Sequence, residues 1–339
     1  MLRSKIWLVA VLLVGLWTMP TFAQTNTREP LGIALEGYDY PYPVKYFPLK
    51  IEGQDLRMAY MDVAPTAIGE TSATPRAVVL LHGKNFFGAY WKETIAALSE
   101  AGFRVIVPDQ IGFGKSSKPD LRYSFHLLAG NTKLLLDSLG VEEAAVVGHS
   151  MGGMLATRFA LMFPEFTTEL VLENPIGLED YKEKAPYLPT EKLYDQQLNQ
   201  TEEQMRKYQR AYYADPKPAY DEYVQVPARQ MASGEYPRLA WAAALTAQMI
   251  YEQPVSHEFA LVRPRTLLVI GQSDRTAIGK ERVLPEVAAT MGDYPELGRR
   301  VAKEIPDAKL IEIEDCGHIP HFEAPEKFHS ALLEFLAGQ

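Results

Sequence analysis

The feature that most constrains this chain is an apolar run that leads directly into a Gly-x-Ser-x-Gly motif. Residues 144–147 are Ala-Ala-Val-Val, the motif occupies residues 148–152, and a helix-forming stretch follows from Met154. This order predicts a buried strand, a tight turn and then a helix. A serine on such a corner projects its hydroxyl above the edge of the sheet, and the first helical N–H groups face any anion that forms beside it. We therefore predict that Ser150 is a nucleophile.

The first 23 residues form a segment of their own. Arg3 and Lys5 precede an apolar run over residues 6–17, and small residues lead up to Ala23. This pattern predicts a signal peptide, residues 1–23, cleaved after Ala23. An uncleaved anchor is the alternative, although the run is shorter than the roughly 20 residues that a membrane span needs. We expect an exported protein, periplasmic or secreted, with no stable membrane association after cleavage.

The charge of the chain argues against two classes of partner. Without residues 1–23 the chain carries 32 basic and 43 acidic residues, a net charge of −11. A negative surface of this kind makes nucleic acid and anionic membranes poor partners. The partner that we expect is a small-molecule substrate. The sole cysteine, Cys316, has no intramolecular disulfide partner, and core packing must supply the stability.

Strand and helix patterns alternate along most of the chain. Residues 24–43 form an extended lead-in that is expected to lie on the surface, and residues 44–51 and 56–63 are predicted to form an antiparallel hairpin. Further strands are predicted at residues 77–81, 104–107, 144–147, 170–173, 265–270 and 310–313, with helices at 91–101, 124–139 and 325–336. Alternation of this kind predicts an α/β fold, a mostly parallel sheet flanked by helices, over residues 44–339.

This alternation is interrupted between about residues 177 and 256. Thr201 opens a capping box for a helix predicted to run through Tyr213, and a second helix is predicted over residues 237–253. Ten of the chain's 18 tyrosines lie in this interval. We interpret the segment as an inserted helical cap. Its tyrosines either seal a small helical layer or, with Trp241, line an apolar pocket that faces Ser150.

Five motifs carry a resemblance to a known family. They are Leu-Leu-His-Gly at residues 80–83, Pro-Asp-Gln-Ile-Gly-Phe-Gly-Lys-Ser at 108–116, the serine motif at 148–153, Gly-Gln-Ser-Asp at 271–274 and Gly-His-Ile-Pro-His-Phe-Glu-Ala-Pro-Glu at 317–326. The chain from about residue 44 to its end resembles the capped α/β-hydrolases, a group that includes esterases, lactonases, proline iminopeptidases and haloperoxidase-like enzymes. The order serine, acid, histidine is the order found in that fold.

The base and the acid are predicted from strand ends. Ser150 needs a base to take its proton, and the base needs a carboxylate that fixes its tautomer. His318 and Asp274 each follow a strand at the edge where Ser150 emerges, so we predict a Ser150–His318–Asp274 triad. Glu173, where some relatives place a relocated acid, is the alternative to Asp274, and Asp315 is expected only to stabilise its turn.

Two backbone N–H groups are predicted to form an oxyanion hole, which stabilises a developing negative charge. One belongs to Met151, and the family resemblance assigns the other to Lys84, where a Phe, Pro or Gly is commoner. Asn85 is a candidate to assist with its side chain. Phe86, together with the cap residues Tyr213 and Trp241, is a candidate for the substrate pocket.

The expected activity needs no metal and no cofactor. His318-x-x-His321 is the spacing of a metal pair, but no third ligand cluster accompanies it. His149 is expected to point away from the pocket, and His82 to brace its own loop. Haloalkane dehalogenases and epoxide hydrolases of this fold have an aspartate at the centre of the motif, where this chain has Ser150. The resemblance therefore disfavours both classes.

These residues predict a serine hydrolase. We expect it to cleave an ester, lactone or amide bond of a small, largely apolar substrate through an acyl-enzyme. Carbon–carbon bond hydrolases and cofactor-free perhydrolases use the same three residues and remain alternatives. A catalytically silent binding protein on the same scaffold is the alternative from another class.

Overall fold

The strands form one eight-stranded sheet. The computed structural model describes residues 29–66 and 75–338. Along the sheet the strands follow the order β1-β2-β4-β3-β5-β6-β7-β8. Their bounds are β1 Val44–Ile51, β2 Gln54–Val63, β3 Ala77–Leu81, β4 Arg104–Pro108, β5 Ala144–His149, β6 Thr167–Glu173, β7 Arg265–Gly271 and β8 Ala308–Ile313.

The direction of the strands confirms the predicted fold class. β1 and β2 form the antiparallel hairpin, and β2 also runs antiparallel to β4. The remaining neighbours pair in parallel. The central strands β3 and β5 are buried along their whole length because helices cover both faces of the sheet. In a parallel sheet the carboxyl ends of the strands share one edge, so the loops that follow β3, β5, β7 and β8 lie together.

The helices connect these strands. Their bounds are α1 Lys92–Glu100, α2 Phe125–Ser138, α3 Met151–Met162, α4 Thr190–Leu198, α5 Glu202–Arg210, α6 Glu222–Met231, α7 Tyr236–Glu252, α8 Pro285–Ala288, α9 Tyr294–Glu304, α10 Pro320–Glu323 and α11 Pro325–Leu336. α8 and α9, both between β7 and β8, have no counterpart among the predicted helices. None of the helices in the described ranges is both long and apolar enough to cross a membrane.

The chain between β6 and β7 contains helices α4 to α7 and no strand of the sheet. The capping box at Thr201 is present, with reciprocal hydrogen bonds to Gln204. The helix that it opens ends at Arg210, three residues before the predicted end at Tyr213. Residues 211–213 instead turn toward the loop after β8, and the backbone carbonyl of Tyr212 accepts a hydrogen bond from the His318 N–H.

The N-terminal lead-in differs from its predicted surface position. Leu31 and Leu35 are buried in a small cluster with Phe87 and with Val226 of α6. The Leu31 N–H also donates a hydrogen bond to the backbone carbonyl of Arg229 in α6. The described part of the lead-in is therefore anchored by a few buried residues, while others, such as Glu36 and Asp39, are exposed as predicted. The predicted signal peptide, residues 1–23, lies outside the described residues.

Candidate active site

Ser150 occupies a strained corner between β5 and α3. Its backbone has φ 57° and ψ −121°, a conformation that a residue other than glycine rarely adopts. The two motif glycines permit the corner, because a side chain at Gly148 would meet the carbonyl oxygen of Gly152 at 2.1 Å. A side chain at Gly152 would meet the carbonyl oxygen of Leu81 in β3, also at 2.1 Å. The strain therefore lies at the residue that has to project its hydroxyl from the sheet.

The structure brings Ser150, His318 and Asp274 together; we refer to these three residues as the triad. His318 Nε2 lies 2.9 Å from Ser150 Oγ, and His318 Nδ1 lies 2.6 Å from Asp274 Oδ2. The ionised carboxylate accepts only, so Nδ1 carries the proton and Nε2 is free to accept the Ser150 hydroxyl proton. All three side chains are buried, with Ser150 at 6% exposure. This arrangement has the geometry required for nucleophilic catalysis.

Asp274 is held from several sides. Its Oδ2 accepts a hydrogen bond from Asn174 Nδ2 at 2.8 Å, and its Oδ1 accepts one from the Thr276 N–H. Asn174 Oδ1 in turn accepts the Gly271 N–H, which ties this amide to the end of β7. Burial alone would raise the pKa of Asp274, but the charge and hydrogen bond of His318, with the bond from Thr276, hold it below its ordinary value. The carboxylate therefore stays ionised and orients His318.

The loop after β3 lies directly against Ser150. A side chain at Gly83 would approach the Cβ of Ser150 to 3.1 Å. Lys84 follows in a turn closed by a hydrogen bond from the Phe86 N–H to the Gly83 carbonyl. Within residues 29–66 and 75–338, neither the Lys84 N–H nor the Met151 N–H donates to a protein acceptor. The role of these two N–H groups as oxyanion donors stays a prediction.

A buried hydrogen-bond chain connects this loop to the base. His149 Nε2 donates to the backbone carbonyl of His318 at 2.8 Å, so its Nδ1 is the acceptor. The Tyr90 hydroxyl donates to that Nδ1 at 3.0 Å and accepts the Gly83 N–H at 3.1 Å. Burial lowers the pKa of His149 well below its ordinary value, which keeps the ring neutral as the chain requires. His149 thus points away from Ser150 but holds the backbone of His318.

Tyr212 is the neighbour of the triad that sequence reasoning missed. Its ring stacks on the His318 ring with the centroids 4.8 Å apart, and its hydroxyl accepts a hydrogen bond from Asn85 Nδ2 at 2.8 Å. The adjacent candidate, Tyr213, instead stacks on Tyr220 at 4.4 Å. The aromatic excess of the cap pointed to this segment, but only the turn after α5 decides which tyrosine reaches His318.

The other candidates for the substrate pocket, Trp241, Phe86 and Asn85, have separate sets of contacts. Trp241 Nε1 donates to Asp120 at 2.8 Å and its ring meets Tyr194 edge-on, so these contacts attach α7 to the loop before α2 and to α4 rather than to the triad. Phe86 is buried, stacks on Tyr90 at 4.9 Å and meets the His149 ring edge-on. The Asn85 amide is engaged by Tyr212.

The alternative acid, Glu173, has a different partner. Its carboxylate accepts hydrogen bonds from the backbone N–H and from Nδ1 of His321, both at 2.8 Å or less. The His321 ring is stacked on Trp91 with centroids 4.4 Å apart. Burial raises the pKa of Glu173 to about 7. Glu173 therefore fixes the helical turn after His318 and leaves the Nδ1 atom of His318 to Asp274.

His82 contacts the Gly83 carbonyl and accepts the Gln110 N–H, so it braces its own loop and the next one.

Comparison with known proteins points to hydrolysis. A crystal structure of a probable hydrolytic enzyme from Pseudomonas aeruginosa PAO1 is 47% identical, covers 91% of this chain and 98% of its own, and superposes with a TM-score of 0.87. A 2-hydroxy-6-oxononadienedioate/2-hydroxy-6-oxononatrienedioate hydrolase of Burkholderia vietnamiensis is 29% identical over 86% of this chain and 95% of its own length. Bifunctional epoxide hydrolase 2 of Sus scrofa is 26% identical over 77% of this chain and 51% of that protein.

The general activity is therefore that of a hydrolase. Residues 78–331 match the model of the alpha/beta hydrolase family. They include the loop after β3, the strained corner at Ser150 and all three residues of the triad. The chain belongs to the alpha/beta hydrolase family.

Proposed function

We propose that the protein is a serine hydrolase that cleaves an ester bond, or the related bond of a lactone or amide, through an acyl-enzyme. The continuous hydrogen-bonded path from Ser150 Oγ through His318 to Asp274 carries this proposal. A serine hydroxyl is a weak nucleophile at neutral pH, and a buried, oriented imidazole at 2.9 Å supplies the missing base.

Each step of the proposed reaction has a group that can carry it out. Ser150 Oγ attacks the carbonyl carbon while its proton moves to His318 Nε2, and the carbonyl oxygen becomes an oxyanion. The N–H groups of Lys84 and Met151 stabilise that charge, and each such donor is worth about 10²–10³ in rate. The leaving alcohol then takes the proton from His318. Water attacks the acyl-enzyme with His318 again as base, which releases the acid and restores Ser150.

Hydrolysis of a carbon–carbon bond is the second candidate, and one observation favours it. The substrate named for the Burkholderia vietnamiensis relative contains a ketone and two carboxylates but no ester, so its hydrolysis must break a carbon–carbon bond. The same serine attack on a ketone carbonyl would serve that reaction if a proton were delivered to the departing carbon. Epoxide hydrolysis is disfavoured, because Ser150 occupies the corner after β5 where the resemblance places an aspartate in epoxide hydrolases.

Covalent labelling tests the nucleophile. A neutral fluorophosphonate should add one adduct to the protein, and mass spectrometry of a digest should locate the adduct on Ser150. Ser150→Ala should abolish both labelling and turnover, because no other group in the path can attack. Thr157→Ala, a change in the middle of α3, is the matched control and should still be labelled. An adduct that persists in Ser150→Ala would refute the assignment.

A substrate panel separates the two candidate reactions. Aryl esters of increasing acyl length, lactones and aminoacyl anilides would be compared with a 2-hydroxy-6-oxo-dienoate under the same conditions. An ester hydrolase should turn over members of the first group with kcat/KM well above that for the ketone. Preference for the ketone would assign the carbon–carbon reaction to the same triad.

A further inference from the structure

The side chain of Lys84 extends from the loop after β3 to helix α7, which lies in the segment between β6 and β7. Its Nζ donates a hydrogen bond to the backbone carbonyl of Ala243 in α7 at 3.0 Å. The residue is only partly exposed. Its own backbone N–H is one of the two proposed oxyanion donors, and its neighbour Gly83 lies against the Cβ of Ser150. The Lys84 side chain therefore extends from the loop beside Ser150 to α7.

No counter-charge accompanies this ammonium. In the described ranges 29–66 and 75–338, no carboxylate lies within ion-pair distance of Lys84 Nζ, and Ala243 provides its one protein acceptor. Lys118, a fully buried lysine, shows the usual structural solution, since three backbone carbonyls from residues 113, 114 and 116 surround its Nζ. An ammonium has three donors, so Lys84 retains two for a ligand.

An enclosed charge of this kind is costly unless it is paired. Burial lowers the pKa of Lys84 to about 8, and no neighbouring charge contributes to that shift. A purely structural clip between the loop and α7 would need only a neutral donor. A cation is useful here if an anion arrives with the substrate, because a carboxylate would take the free donors and restore the charge balance.

We propose that Lys84 Nζ binds a carboxylate of the substrate, so that the site selects esters that carry a carboxylate a few atoms from the scissile carbonyl. This assignment rests on the proposed Ser150 chemistry and names a substrate class for it. The apolar remainder of the substrate would lie against the aromatic side chains of the loop and cap. The anionic end would lie against Lys84.

A matched pair of esters tests this selection. Monomethyl succinate and methyl 4-oxopentanoate have the same chain, but the first ends in a carboxylate where the second has a methyl ketone. The protein should prefer the anionic ester in kcat/KM, measured by methanol release. Lys84→Met should reduce the ratio of the two kcat/KM values by about 10- to 100-fold, the worth of one charged hydrogen bond. Lys84→Arg should retain most of the ratio, because it keeps the cation.

The ratio cancels any change that the substitution causes at the oxyanion hole, since both esters use the same backbone donor. Lys92→Met, which removes an exposed lysine at the start of α1, should leave the ratio unchanged. An equal ratio in the unchanged protein and in Lys84→Met would overturn the proposal and leave Lys84 as a clip to Ala243.

A second measurement covers the case in which neither methyl ester is turned over. Succinate should slow fluorophosphonate labelling of Ser150, succinamide should not, and Lys84→Met should lose the protection. Labelling that succinate never slows would refute the carboxylate site while leaving the nucleophile intact. Absence of any Ser150 labelling would instead refute the proposed function itself.

Discussion

At the scale of single residues, the choice between two buried carboxylates is decided by their partners. Asp274 reaches His318 Nδ1, and Asn174 and Thr276 hold its two oxygens in place. Glu173 lies on the next strand of the sheet, but both of its oxygens face His321. The two carboxylates at neighbouring strand ends therefore have separate roles. Asp274 orients the base, and Glu173 holds the turn that follows the base.

Substitution of each carboxylate should separate these tasks. Asp274→Asn should lower kcat by roughly 10⁴ near neutral pH, because an amide stabilises the wrong tautomer of His318. Glu173→Gln should mainly lower the melting temperature, since it weakens a buried contact to His321 that is not part of the triad. Steady-state kinetics and thermal melts on the two variants provide the comparison. The reverse pattern of losses would move the acid to Glu173.

At the scale of elements, the turn after α5 connects the cap to the loop that carries His318. The Tyr212 carbonyl accepts the His318 N–H, and its ring covers the imidazole face. Glu323 strengthens the junction, because its two carboxylate oxygens accept the N–H groups of Ala214 and Gly317. An insertion attached in this way holds the backbone and the ring of the base.

Removal of the Tyr212 ring should therefore reduce catalysis. Tyr212→Ala should lower kcat by about 10², because a small displacement of the base from its attack geometry has an effect of that order. Tyr212→Phe keeps the stacking and loses only the hydrogen bonds of the hydroxyl, to Asn85 and Tyr208, so its effect on kcat should be much smaller. Tyr213→Phe is the matched control: the Tyr213 hydroxyl is buried without a partner in the described part of the chain, and its removal should leave kcat unchanged. Similar kcat values for all three variants would show that the cap does not position His318.

At the scale of the whole molecule, the N-terminal lead-in joins the cap to the sheet domain. Arg229 and Gln230 of α6 donate side-chain hydrogen bonds to the backbone carbonyls of Glu29 and Ile33. Further along, the Tyr40 hydroxyl donates to Asp109 at 2.6 Å, in the loop after β4. One short segment therefore contacts both the insertion and the scaffold.

We expect this segment to contribute to global stability. Leu31→Ala should lower the free energy of unfolding by about 2 kcal/mol, because it leaves a cavity beside Phe87 and Val226. Leu134→Ala, at a position 54% exposed on α2, is the control and should change stability little. Urea unfolding midpoints of both variants measure the difference. An unchanged midpoint for Leu31→Ala would mean that the lead-in docks without stabilising the fold.

The sequence by itself determined the strands of the sheet and the order of the chemical residues. The apolar run before Gly148 predicts a strand because its length and its branched residues suit no other buried element, and the two motif glycines predict a corner too close for side chains. Strand ends of a parallel sheet lie at one edge, so Ser150, Asp274 and His318 were predicted to meet. The structure places His318 within hydrogen-bond distance of both Ser150 and Asp274.

Only the tertiary structure decided what surrounds the triad. α5 ends at Arg210 because the backbone of Tyr212 pairs with His318, a contact 106 residues away in the chain that no local pattern encodes. Leu31 and Leu35 are too few to form a periodic signal, and their burial depends on α6, which is nearly two hundred residues distant. Local sequence fixes periodicity and turn chemistry through neighbouring residues. Packing between distant segments depends on shape and partner groups, which exist only once the chain has folded.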